Sequence, residues 1–170
     1  WHPVFVYTGM RSMCDDYGDV YTYIFGWYDG KEVKYKVEDG ADMNKAKKDK
    51  GYEDGLKPGD VISIWTNARD EAYGMARVLH DVDEPYTDMQ TYDLKKDDIS
   101  YCYARIKKVG TTHMIITDGA NDCVVTLPSK RVYVVDGSEV RVGENSDLVP
   151  GRNMCIRQLD GETIEAIVYL

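Results

Sequence analysis

Histidines and cysteines, side chains apt for acid–base, nucleophilic and metal-binding work, are few and scattered in this chain. Its three histidines are His2, His80 and His113, and one of them stands among other metal-type ligands. His80 is followed by Asp81, Asp83 and Glu84, an imidazole and three carboxylates at short range, which is a donor set for a divalent cation. The same stretch also reads as a solvated acidic linker. Asp15, Asp16 and Asp19 gather carboxylates around Gly18, and calcium is the ion such hard oxygens suit. Their spacing lacks the glycine and glutamate positions of an EF-hand loop, and a hairpin turn explains the same residues without a ligand. His113, beside Thr111 and Thr112, has no nucleophile pattern near it and reads as a surface or strand-edge histidine.

No phosphate-binding glycine loop, G-x-S-x-G elbow or H-E-x-x-H helix motif occurs. Paired carboxylates arise by chance among 30 acidic residues, so they carry no glycosidase signal. Cys14, Cys102, Cys123 and Cys155 include no C-x-x-C pair, which removes the spacing that builds a zinc site. Three disulfide connectivities are open to four oxidised cysteines. The reading adopted is reduced thiols, with Cys123 and Cys155 buried in apolar strands as small hydrophobes. The chain is expected not to be an enzyme and to need no cofactor.

The aromatics offer a different chemistry. Fourteen tyrosines stand against two phenylalanines, and Tyr21, Tyr23, Trp27 and Tyr28 crowd one segment, with Trp65 further on. Such rings suit a binding face for a protein partner or a sugar, or equally a half-buried strand. These five are the candidate contact residues. With a formal charge of −9, nucleic acid is not an expected partner, because a basic footprint would have to be concentrated on one face. The densest basic run, residues 45–50, contains Asp49 and reads as a solvated loop. No apolar run is long enough for a membrane span and no signal peptide is visible. The start at Trp1 suggests a processed product or a piece of something longer.

The elements that must position these residues are strands. Leu56-Lys57-Pro58-Gly59-Asp60-Val61-Ile62 is echoed by Leu148-Val149-Pro150-Gly151-Arg152-Asn153-Met154, and each copy runs through a polar turn into an apolar end. This repeat predicts two related β-modules in tandem, barrel- or sandwich-like, over residues 1–80 and 101–170, with an acidic linker at 81–100. Strands are expected near 4–7, 20–27, 32–37, 61–66, 73–79, 103–109, 114–117, 123–127, 132–135, 154–158 and 163–170. Asp29-Gly30 and Asp160-Gly161 supply hairpin turns. Residues 38–55 read as a long loop with one helical turn at 43–48.

The segment 56–62 with the strand that follows it, and the segment Arg131-Val132-Tyr133-Val134-Val135-Asp136 with Val140-Arg141-Val142-Gly143 and the closing Ala166-Ile167-Val168-Tyr169, resemble the C-terminal β-module regions of clostridial surface proteins that carry S-layer homology domains. The resemblance implies a non-enzymatic extracellular module at a bacterial cell surface, working in structure, self-assembly or adhesion through strand edges and Tyr/Trp-rich faces. Its partner would be a protein, another copy, or cell-wall glycan. A carbohydrate-binding module and a phage tail or decoration protein remain the alternatives.

Overall fold

The computed structural model describes residues 3–41, 43, 56–77, 90–94 and 99–170, with backbone alone at 76, 77, 90–94, 99 and 100. The fold is all-β. The chain divides into two units, Trp1–Val78 and Leu79–Leu170.

The first unit holds β1 (Val4–Cys14), β2 (Val20–Tyr28), β3 (Lys31–Lys36), β4 (Val61–Thr66) and β5 (Ala72–Arg77), ordered β3-β2-β1-β4-β5. Three hairpin-connected strands followed by a fourth that returns beside the first make a Greek key. The end of β3 then meets the start of β5 in a parallel bridge, Val37 with Ala72, and the Glu38 N–H donates to the Ala72 carbonyl at 2.7 Å. The two sheet edges therefore touch, giving a partly open five-stranded barrel.

Local chemistry sets this path. Asp29 and Gly30 both take positive φ, 50° and 73°, as a type I′ hairpin turn requires. A bulge between Tyr7 and Gly9 bends β1, whose start pairs with β4 and which pairs with β2 from Val6 to Cys14. Phe5, Tyr7, Ile24, Ile62, Ile64 and Met75 fill the core. Gly26 is required there, because a Cβ on it would lie 2.2 Å from the Phe5 ring and 2.4 Å from the Val6 carbonyl. Phe5 uses that space and stacks on Tyr35 with ring centroids 5.4 Å apart.

The second unit holds β6 (Gln90–Leu94), β7 (Ile99–Val109), β8 (His113–Thr117), β9 (Asp122–Thr126), β10 (Arg131–Asp136), β11 (Glu139–Gly143), a 3-10 turn (Asn145–Asp147), β12 (Asn153–Leu159) and β13 (Glu162–Tyr169). The order β9-β8-β7-β12-β13 repeats the Greek key, and β10 is added in parallel beside β13 with β11 outside it. Met114, Ile116, Met154, Ile156, Ala166 and Val168 centre its core.

The sequence repeat has a structural counterpart at the bulge of each first strand. In the first unit the Gly59 N–H donates to the Tyr7 carbonyl at 2.7 Å, and the Tyr7 N–H to the Asp60 carbonyl at 2.8 Å. In the second, the Gly151 N–H donates to Ile106 at 2.7 Å and the Ile106 N–H to Arg152 at 2.9 Å. Tyr7 and Ile106 each stand at the edge of a bulge. Each Pro-Gly turn thus delivers the fourth strand onto the bend of the first.

Two differences from the sequence reading stand out. The segment read as a linker, 81–100, contains β6 and the start of β7, paired with one another. One side of the early part of β7 is taken by β12, so its other side recruits β6, a polar strand with no apolar period to announce it. The strand β11 also escaped notice, because a Gly137-Ser138 reversal leaves only five residues before Glu144. The helical turn expected at 43–48 lies largely outside the described residues.

Within β12 and β13 a buried ion pair joins facing residues: Arg157 Nε donates to Glu165 Oε2 at 2.9 Å, with both side chains 8% exposed. Replacing Arg157 by Met leaves a buried carboxylate uncompensated and is expected to cost about 3–5 kcal/mol, whereas Arg157→Met with Glu165→Leu should recover most of the loss. Denaturant melts of both variants check this. At the repeat, Gly59 and Gly151 have φ of 97° and 93°. Alanine at either is expected to lower stability by about 1–3 kcal/mol in the same measurement.

Candidate binding face

The β2 strand alternates. Ile24 faces the core, while Tyr21, Tyr23, Phe25 and Trp27 share the opposite, outer side. The Asp29-Gly30 turn fixes which β3 residues lie beside them: Lys34 faces Phe25 and Lys36 faces Tyr23. From β1, Arg11 faces Tyr23.

Each cation then leans diagonally onto the next ring, a distance long side chains reach across neighbouring strands. Lys36 Nζ lies 3.5 Å from the Tyr21 ring centroid, Lys34 Nζ 5.5 Å from Tyr23, and the Arg11 guanidinium carbon 3.9 Å from Phe25. These are cation–π contacts. The Arg11 side chain remains 64% exposed while Phe25 beneath it is 6% exposed. The outer layer of this face is therefore cationic and the rings are its floor. Tyr21 and Tyr23, candidate contact residues, are thus half-buried beneath lysines and not bare rings.

The other candidates are placed differently. Trp27 lies on the same side, opposite Val6 and Glu32. Trp65 belongs to β4, and its ring occupies the space a Cβ on Gly74 would enter, 3.0 Å away. Tyr28, although 46% exposed, has the opposite alternation and falls off the row. Arg11, Lys34 and Lys36 were missed from sequence. The two lysines were readable, since a two-residue turn after Tyr28 dictates the pairing.

Two of the cations have an acid beside them. Glu32 lies 3.9 Å from Arg11, and Glu71 lies 3.5 Å from Lys36. For Lys34 the described residues offer no carboxylate. The Asn67 side-chain amide, donating to Glu71, holds the Glu71 carboxyl below its ordinary range, helped by Arg69 and Lys36 against the effect of burial.

The turn at 15–19 is a closed hairpin turn: Asp15 Oδ1 accepts from the Tyr17 and Asp19 N–H groups, both at 2.9 Å. His80, Asp81, Asp83 and Glu84 lie outside the described residues. Among the described residues no group of three or more His, Cys, Asp or Glu converges as a metal site, and no helix is long and apolar enough to cross a membrane.

The thiols divide two and two. Cys102 and Cys155 are buried, whereas Cys14 and Cys123 are exposed. The burial expected for Cys123 is therefore wrong: it stands on the same side of β9 as Val125, but near the start of an edge strand, where it is left exposed. Burial, with the nearby Cys123, pushes Cys102 up to about 11, and burial raises Cys155 well above the ordinary thiol value.

No protein-family model matches the chain, and no curated protein matches it. Among solved structures it is similar to the tetrameric p202 HIN2, at 10% identity over all of this chain and 87% of that one, with a TM-score of 0.25. It is likewise similar to the p204 HINb domain, at 11% identity over 99% of this chain and 91% of that one, also with a TM-score of 0.25. Likenesses at this level say nothing further about the chain.

Alkylation of the native protein should label Cys14 and Cys123 quickly and leave Cys102 and Cys155 unmodified until denaturant is added, as mass spectrometry of the peptides would report. Because the folded Glu71 pKa is depressed, its contribution to stability is present above the ordinary value of 4.5 and is lost as pH falls through the folded value. Melts between pH 7 and pH 2 should show that acid loss, and Glu71→Gln should shrink it.

Proposed function

We propose that this chain is a non-enzymatic adhesion or assembly module of a bacterial surface protein, presented outside the cell, and that the outer face of β1, β2 and β3 is where it meets its partner. The observation that carries this reading is the ordered row of three cations seated on Tyr21, Tyr23 and Phe25, on the side of the sheet away from the core. Side chains held in place before a partner arrives lose less freedom on binding, so such a row is suited to contact. The resemblance of residues 56–62 and 131–136 to surface-protein C-terminal regions supports the extracellular setting.

Strand edges serve the proposal less well than the face. The β3 edge carries Lys31, Lys34 and Lys36, the kind of charge that discourages strand addition, and β11 is only five residues long.

The test is co-sedimentation with purified Gram-positive cell envelopes. The wild-type chain should pellet with them, and Tyr21→Ala with Tyr23→Ala should weaken that by about tenfold or more, as loss of central contacts does, with a native-like melt. Equal sedimentation of the two proteins, or none by the wild type, would defeat the reading.

A further inference from the structure

The same face narrows the chemistry of its partner; this step rests on the reading of that face as the contact surface. We infer that the face recognises an acidic glycan, a sugar polymer bearing carboxylate or phosphate groups at intervals.

Three observations converge. First, what a partner meets is charge. The Arg11 side chain is 64% exposed and Lys34 is exposed too, while Phe25 lies covered below them. A neutral sugar would stack on bare rings. Here Tyr21 and Phe25 already carry a cation within 4 Å of the ring centroid, which a stacking sugar would have to displace.

Second, the cations are regularly spaced. Lys34 and Lys36 are two residues apart on one strand, so their stems rise about 6.7 Å apart, and each is steered onto its own ring. That is a ladder for anionic groups repeating along an extended polymer. Lys34, which no carboxylate pairs among the described residues, is the cation most available to it.

Third, the cations are interleaved with acids. Glu32 and Glu71 stand beside Arg11 and Lys36, and Asp15, Asp16 and Asp19 occupy the turn that opens the β2 strand. A mixed face of this kind suits a ligand with both acid groups and hydroxyls, since hydroxyls donate to carboxylates while acid groups accept from lysine and arginine. Nucleic acid fits it poorly. Single-stranded binding relies on open aromatic faces for base stacking in a continuous basic groove, and here the rings lie under cations that acids interrupt.

The experiment is calorimetric titration of the whole chain with polygalacturonate, hyaluronate and a phosphomannan, and, at matched concentration, with dextran and an oligo-dT strand. At least one of the acidic glycans should bind, weakening as salt rises, with dextran silent and oligo-dT weaker at equal charge. Lys34→Glu with Lys36→Glu should lower acidic-glycan affinity by about tenfold or more, and Lys34→Arg with Lys36→Arg should keep it, because the charge-assisted contacts survive. Binding of dextran equal to that of the acidic glycans, or tighter binding of oligo-dT, would overturn the inference. So would silence with all three acidic glycans. Silence accompanied by intact envelope sedimentation would remove the acidic glycan and leave the adhesive face standing. Silence with loss of sedimentation as well would remove both.

Discussion

A pair of backbone hydrogen bonds at the bend of each first strand is what the rest of each unit depends on. A strand whose two ends pair with different neighbours has to bend, and a bulge is how an extended chain bends without losing most of its ladder. The bulge leaves backbone groups needing partners, and a buried one left unpaired is costly. In both units the turn built on Pro58-Gly59 or Pro150-Gly151 supplies them, through Tyr7 in one and Ile106 in the other. This explains why the turn is the best-kept part of the internal repeat. Elsewhere the two units differ: the second adds the β10–β11 hairpin and carries the buried Arg157–Glu165 pair.

The candidate face follows from that frame. Bending β1 at Gly9 sets the register in which Arg11 falls opposite Tyr23, and the tight turn at Asp29-Gly30 sets Lys34 and Lys36 on the other side of the same rings. The aromatic row is thus flanked by cations from two strands. Burying Phe25 beneath Arg11 removes apolar surface from water without using the core, and leaves charge outermost. Glu71, tied to Asn67 within the β4–β5 turn, links the far edge of the barrel to Lys36.

Much of this was readable in the residues, and the reasons for the rest are physical. Strand positions followed from alternation and from the Asp-Gly turns, whose φ values are those the sequence demands. The Pro-Gly repeat pointed to two like units. Tyr21, Tyr23 and Trp27 share one side of β2 because they stand on alternate residues, whereas Tyr28, named with them for its proximity, has the opposite parity. Arg11 was hidden, since the first strand was expected only over residues 4–7 and the bulge that carries it on past Gly9 leaves no signal in the sequence. The strand β6 was hidden too, because its sequence has no apolar alternation and it is its pairing with β7 that marks it as a strand. The cluster at His80, Asp81, Asp83 and Glu84 lies outside the described residues.

The central claim is that the cationic layer over the β2 rings is the contact surface. Amide and side-chain NMR shifts during titration of the whole chain with solubilised envelope polymer test it most directly. Shifts centred on Arg11, Tyr21, Tyr23, Lys34 and Lys36, with the second unit unmoved, are the predicted result. Shifts centred on β11, or spread over residues 99–170 with this row unmoved, would contradict it.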